Sequence, residues 1–284
     1  MKKKLIIAGS VLLGLIIVIL TLCFTVFTVK TIEVDFRTST TNNYEEQQII
    51  EESQFKYGKC LLFLGKKKAT TNIEKKYPYL EVINIETVFP SKLIIHCAER
   101  QGLYAIKNQQ ETLICDKDFK VLEIFQSDVV STKENEIALS GLNFENKEVE
   151  KGDFLTIDQI GMKNFLSSML ENSLTYNQTI GFCKEISLES EKNDLTGKEE
   201  DHLTITTFTG RKITILNIDS GLNFKIQKML QALPKLYELL VTNGDYTSEE
   251  VDRCSLVIGN QITDETELYV HVYLDGEIVS SPNK

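Results

Sequence analysis

Tyr77-Pro78-Tyr79-Leu80-Glu81-Val82-Ile83-Asn84-Ile85-Glu86-Thr87-Val88-Phe89-Pro90-Ser91-Lys92-Leu93-Ile94-Ile95-His96-Cys97-Ala98-Glu99-Arg100 reads as two strands and a turn. Val82–Val88 and Leu93–Ala98 are dense in β-branched and apolar residues. Phe89-Pro90-Ser91-Lys92 lies between them, and Pro90 fixes φ for a turn. A β-hairpin is the expectation.

Working outward from the hairpin, Lys66–Tyr77 reads as a short helix stopped before Pro78, because the residue preceding a proline avoids helical geometry. Leu61–Leu64 is a short apolar run, and Gly58 breaks the segment before it. Tyr44–Phe55 is helix-like. Glu45 and Glu46 sit near its N-terminus, where the helix dipole favours carboxylates, and Ile49 and Ile50 supply an apolar face. Thr38–Asn43 is a polar turn. Val29–Phe36 alternates, with Ile32, Val34 and Phe36 on one side and Thr31, Glu33 and Asp35 on the other, as a half-buried strand does. The order is β-α-α-β-β, a small α+β module with both helices on one face of a three-stranded sheet.

Before this module, no charged residue occurs from Leu5 to Val29. As a helix that run reaches about 38 Å, more than the roughly 30 Å of a bilayer's hydrocarbon core. Lys2, Lys3 and Lys4 precede it, and its other flank is not enriched in basic residues. The positive-inside rule places residues 1–4 in the cytoplasm and everything after residue 30 outside. The run is too long for a signal-peptide core and no Ala-x-Ala-like site closes it, so an uncleaved single-pass anchor over residues 5–29 is expected.

Beyond the module the chain is β-rich. Gly102–Lys107, Thr112–Cys115, Val121–Phe125, Phe182–Glu189, His202–Phe208, Lys212–Leu216, Cys254–Ile258 and Leu268–Leu274 read as strands, and Ser190–Asp201 as a solvated loop. Two helices are expected. Asp158–Leu174 carries Met162, Phe165, Leu166, Met169 and Leu170 at helical spacing. Leu222–Val241 carries Ile226, Met229, Leu230, Leu233, Leu236, Tyr237 and Leu240, with a kink at Pro234. The last strand alternates Leu268, Val270, Val272 and Leu274 against Tyr269, His271 and Tyr273. As the terminal strand it is expected to be a sheet edge, with Tyr269, Val270, His271, Val272 and Tyr273 offering backbone groups and side chains to a partner strand.

Composition bounds the chemistry. The 284 residues are 42% hydrophobic and 25% charged, ordinary globular values for a chain of two domains. The net charge of −10 disfavours nucleic acid and acidic lipid headgroups as partners. Cys60, Cys97, Cys115, Cys183 and Cys254 are dispersed without a Cys-x-x-Cys pair and read as small buried hydrophobes, with one disulfide left open. His96, His202 and His271 fall in strands with no metal-ligand spacing between them. Asp116 and Asp118 read as turn residues. No nucleophile elbow, zinc-protease or phosphate-loop motif occurs. No catalytic, cofactor or metal site is therefore expected.

The ordered motifs Gly58-Lys59-Cys60-Leu61-Leu62-Phe63, Pro78, Phe89-Pro90, Leu93-Ile94-Ile95 and Glu99-Arg100, following an N-terminal anchor, resemble the POTRA (polypeptide transport-associated) domain of the bacterial division proteins FtsQ and DivIB. Leu113-Ile114-Cys115-Asp116 extends the likeness into the second domain. The resemblance implies residues 30–100 as a POTRA-like domain, 101–276 as a β domain and 277–284 as a tail, with Glu99 and Arg100 at the domain junction. It further implies a non-catalytic scaffold at the division septum, regulating septal wall synthesis. Its partners would be anchored coiled-coil proteins of the FtsB/DivIC and FtsL types. The competing expectation is a membrane-anchored extracytoplasmic envelope enzyme whose active site is not recognisable in sequence.

Overall fold

The computed structural model describes residues 2–37, 42–126, 136–142, 148–156, 167, 182–192, 197–218, 220–242, 246–260, 268–274 and 277–280. The chain divides into two compact units, Met1–Gln101 and Gly102–Lys284.

The first unit opens with α1 (Lys2–Thr25). Val11–Ile19 lie along it with large exposed apolar side chains. Within it the Thr21 hydroxyl donates to Ile17 O at 2.8 Å, and the Thr25 hydroxyl to Thr21 O at 2.6 Å. Among the described residues no helix is long and apolar enough to cross a membrane. The expected helical run to residue 29 is corrected. The Val29 N–H bonds Lys59 O, the Gly58 N–H bonds Val29 O, and Val29 is 1% exposed in the unit's core. Thr25, Val26, Thr28 and Val29 are β-branched, and the last two take extended pairing instead of helix.

β1 (Thr31–Phe36), α2 (Glu46–Ser53), a 3-10 turn (Leu61–Phe63), α3 (Lys66–Lys76), β2 (Leu80–Val88) and β3 (Lys92–Glu99) follow. The sheet order is β1-β3-β2. The hairpin is antiparallel and β1 runs parallel to β3, with Asp35 opposite His96. Parallel neighbours need a crossover, which α2 and α3 provide. Ile32, Val34, Ile49, Ile73, Leu80, Ile85, Leu93, Ile95 and Cys97 are buried in one core. Leu93, Ile95 and Cys97 alternate with Ile94, His96 and Ala98, so one face of β3 meets this core. Each fully buried aliphatic side chain contributes about 1.5–3 kcal/mol of transfer free energy.

Among the described residues the second unit holds one ten-stranded sheet. Its strands are β4 (Tyr104–Asn108), β5 (Glu111–Cys115), β6 (Val121–Gln126), β7 (Ile137–Ser140), β8 (Cys183–Lys192), β9 (Glu199–Thr207), β10 (Lys212–Ile215), β11 (Ser255–Asn260), β12 (Leu268–Leu274) and β13 (Glu277–Ser280). The spatial order is β13-β12-β11-β10-β9-β8-β7-β4-β5-β6. The β4–β7, β7–β8 and β10–β11 pairs are parallel, and the rest are antiparallel. α4 (Leu222–Thr242), which contains Pro234, and α5 (Ser248–Arg253) make the β10–β11 crossover. Ile226 and Met229 of α4 are fully buried against the sheet's core. Leu236, Tyr237 and Leu240 of the expected stripe, and the expected helix over residues 158–174, fall outside the described side chains and residues.

Two expectations are corrected here. Ser190–Asp201 is mostly the two arms of the β8–β9 hairpin, with Ser190 opposite Asp201 and Lys192 opposite Glu199. Backbone pairing holds these arms, and their polar residues on both faces give no alternation to read. Glu277–Ser280, expected to be tail, is a strand.

Candidate partner-binding surfaces

The expected partner-binding stretch lies in β12, and β12 is not the edge of the sheet. β13 pairs beside it, with Tyr273 opposite Ile278, Leu274 opposite Glu277 and, past an irregularity in register, Val272 opposite Ser280. On the other side Tyr269, Val270, His271, Val272 and Tyr273 face Gly259, Ile258, Val257, Leu256 and Ser255 of β11. The edge assignment therefore moves to β13, because Glu277–Ser280 folds back as a hairpin arm. The expected alternation holds at the described side chains. Val270 and Val272 are fully buried, whereas His271 and Tyr273 are half-buried on the other face with their rings edge-to-face at 6.3 Å.

β13 closes the ordered sheet at this end, and on it Glu277 is exposed and Ile278 is 58% exposed. An edge strand holding an exposed isoleucine is a template for strand addition. At the other end, the start of β6 is covered: the Val121 N–H bonds Asp153 O, the Gly152 N–H bonds Val121 O, and Lys120 bridges to Phe154. β2, at the edge of the smaller sheet, is blunted by a shift in register between Val82 and Asn84.

Glu99 is the last residue of β3 and Arg100 follows it. The Glu99 carboxylate accepts from the Asn42 backbone N–H at 3.1 Å and from its side-chain amide at 2.5 Å. Arg100 is buried. Its guanidinium donates to Glu74 Oε1 at 3.4 Å and stands 3.8 Å from Glu81, and its N–H bonds Tyr79 O at 2.7 Å. These contacts tie α3 and the start of β2 to the end of β3.

His96 lies in strand β3, as expected, in a specific setting. Nδ1 lies 2.8 Å from Asp35 Oδ2 on β1, and Nε2 lies 3.0 Å from Glu86 Oε2 on β2. A neutral imidazole has one donor, so two carboxylate partners favour the protonated ring. The Glu86 and Asp35 hydrogen bonds raise the His96 pKa, against burial and the Arg37 charge, which lower it. The in-register Asp35–His96 pair was the signal available in sequence, once β1 was known to run parallel to β3.

His202 and Asp116 serve local structure. His202 Nδ1 accepts the Asn217 N–H at 3.0 Å. Asp116 Oδ1 accepts the N–H groups of Asp118 and Lys120, each at 2.9 Å, an Asx-type turn. None of the described cysteines is in a disulfide. Burial pushes the Cys97 and Cys183 thiols up to about 12, so both stay protonated and unreactive at neutral pH. Among the described residues no group of His, Cys, Asp and Glu converges as a metal site.

A family model described as "POTRA domain, FtsQ-type" matches residues 27–100. Residues 27–100 are thus similar to FtsQ-type POTRA domains. Curated relatives agree. The chain is 32% identical over 111 residues to "Cell division protein DivIB" of Clostridium tetani, an alignment covering 38% of this chain and 40% of the relative. It is 32% identical to the protein of the same name from Clostridium botulinum strain Hall, over 38% of this chain and 41% of that one. The chain thus spans about two fifths (40% and 41%) of the length of the curated relatives it matches. The likeness of the chain to the FtsQ/DivIB family is shown by these matches, and the family model places it over residues 27–100.

Proposed function

We propose that this chain is a non-catalytic scaffold of the bacterial division machinery, anchored in the cell membrane through the apolar helix α1, which ends at Thr25, with its bulk outside the cytoplasm. The observation that carries the proposal is the FtsQ-type POTRA domain directly after the apolar helix α1. The relatives' name, cell division protein, gives the process. Side chains in α1 support the anchor. Leu12, Leu13 and Leu15 are more than half exposed, and the Thr21 and Thr25 hydroxyls are satisfied inside their own helix, as a lipid setting requires.

The scaffold's partners are other membrane-anchored division proteins of the FtsB/DivIC and FtsL coiled-coil types. A partner strand adds to β13, and through it to the β12 hairpin arm that carries His271 and Tyr273. Backbone hydrogen bonds supply affinity, and Ile278 and its neighbours supply specificity. Joining these partners at the septum is how the chain regulates septal wall synthesis. A fluorescent fusion to the full chain is expected to form a band at mid-cell in dividing cells. Uniform labelling of the envelope through the division cycle would contradict the reading.

A further inference from the structure

The POTRA unit carries apolar side chains that its own core does not use, gathered where α1 meets it. Phe27 lies two residues past α1, and its ring meets the Phe89 ring edge-to-face at 5.4 Å. The Leu61 N–H bonds Phe27 O at 2.8 Å, and Thr28 bridges to Cys60. This pairing fixes the segment 57–63 beside the exit of the helix. Gly58 turns it at φ 79°, a backbone conformation that side-chain-bearing residues rarely adopt. Leu61 turns inward and is 3% exposed, while Leu62 is 52%, Phe63 81%, Tyr57 60% and Phe89 55% exposed. Single exposed apolar residues are ordinary. Four held by backbone pairing around one helix exit form a patch.

The charge around the patch runs against the rest of the chain. The chain's net charge is −10, yet Gln54–Lys68 holds five lysines and no acidic residue. Lys66 is turned inward, its Nζ donating to Ile85 O at 2.7 Å. Lys56, Lys59, Lys67 and Lys68 are exposed. Aromatic rings and lysines together are the composition of a protein surface at the headgroup level of a bilayer, where rings sit at the interface and ammonium groups meet anionic lipid.

We propose that Tyr57, Leu62, Phe63 and Phe89, with Lys56, Lys59, Lys67 and Lys68, form a collar that seats the POTRA unit on an anionic phospholipid surface. The occupant is lipid because the collar is continuous, through Phe27 and the Leu61–Phe27 hydrogen bond, with the helix that carries exposed apolar side chains. The local positive charge matches anionic headgroups. The seat fixes the tilt of the POTRA sheet relative to the membrane, which the helix exit alone leaves as a hinge. This inference rests on the membrane-anchor reading above, and its test separates the two.

The chain has no tryptophan, so single tryptophans report position. The full chain is reconstituted in phosphatidylcholine–phosphatidylglycerol vesicles containing lipids brominated either near the headgroup or deep in the acyl chains. Phe63→Trp is expected to be quenched by the shallow bromines, and Ile83→Trp, on β2 nearer the strand's far end, by neither. Val18→Trp in α1 reads the anchor separately, through deep quenching. Replacing Lys56, Lys59, Lys67 and Lys68 by Gln in the Phe63→Trp chain is expected to reduce the shallow quenching. The same four changes in the Val18→Trp chain are expected to leave deep quenching unchanged. An unquenched Phe63→Trp beside a quenched Val18→Trp overturns the collar and leaves the anchor standing, freeing that face for a protein partner. An unquenched Val18→Trp overturns the anchor, whatever Phe63→Trp shows.

Discussion

His96 is the residue whose environment departs furthest from its appearance in sequence. Its ring joins all three strands of the POTRA sheet through Asp35 and Glu86. The hydrogen bonds that the ring donates to those carboxylates raise the folded-state pKa above the ordinary value, so the stabilisation is fully present below the unfolded-state pKa and is lost as pH rises through the folded one. Both carboxylates are about half exposed (54% and 51%), which keeps the effect modest. The thermal midpoint of the POTRA transition should therefore fall by a few degrees between about pH 6 and about pH 9, and His96→Gln should flatten that dependence. An unchanged slope in the variant would remove the ladder's role. Lys225 makes a second residue-scale case. Its side chain is fully buried, and its ammonium donates to Leu216 O at 2.9 Å and Asn217 O at 2.6 Å. Lys225→Met leaves those carbonyls short of a donor and should cost about 2 kcal/mol in denaturant unfolding. The His96 setting depends on the β1–β3 register, and the Lys225 setting on how the start of α4 folds back on Leu216 and Asn217 just before it, so neither is explicit in the sequence.

At the scale of elements, the hairpin expected over Val82–Ala98 is present as β2 and β3, because its β-branched runs and Pro90 turn agree with its tertiary setting. The POTRA order was legible for the same reason. Three elements were misread or missed, each for its own cause. The β8–β9 arms are polar on both faces, so hydropathy carried no period. β13 is only four residues long, though Asp275-Gly276 ahead of it is a hairpin signal in sequence. α5 carries a full capping box, with Thr247 accepting the Glu250 N–H and Glu250 accepting the Thr247 N–H, and the Thr-x-x-Glu spacing was there to be read. Packing at the end of β7 is a further consequence of the fold. Gly141 has φ +75°, and a Cβ there would stand 1.9 Å from Leu188 O on β8. Gly141→Ala should destabilise the second unit by more than about 3 kcal/mol, measured as a drop in its denaturant midpoint. A variant as stable as the parent would show that the β7–β8 approach is looser than described.

At the scale of the whole molecule, two units with separate cores carry different parts of the account. The first carries the match to the FtsQ-type POTRA family model. The second presents a ten-stranded sheet whose β13 end is open among the described residues. The central claim is that partners join there by strand addition. Successive N–H groups along a strand point to opposite sides, so one of Glu277 and Ile278 directs its N–H away from β12. The most direct test is the affinity of the full detergent-solubilised chain for an anchored coiled-coil division protein from the same cell. It is compared between the parent, Glu277→Pro and Ile278→Pro, with the thermal midpoint of each chain identifying the variant that keeps the β12–β13 pairing. The account predicts that this folded variant binds at least about tenfold more weakly than the parent, a loss of roughly 1.4 kcal/mol. Affinity equal to the parent's in a folded outward-proline variant would contradict it.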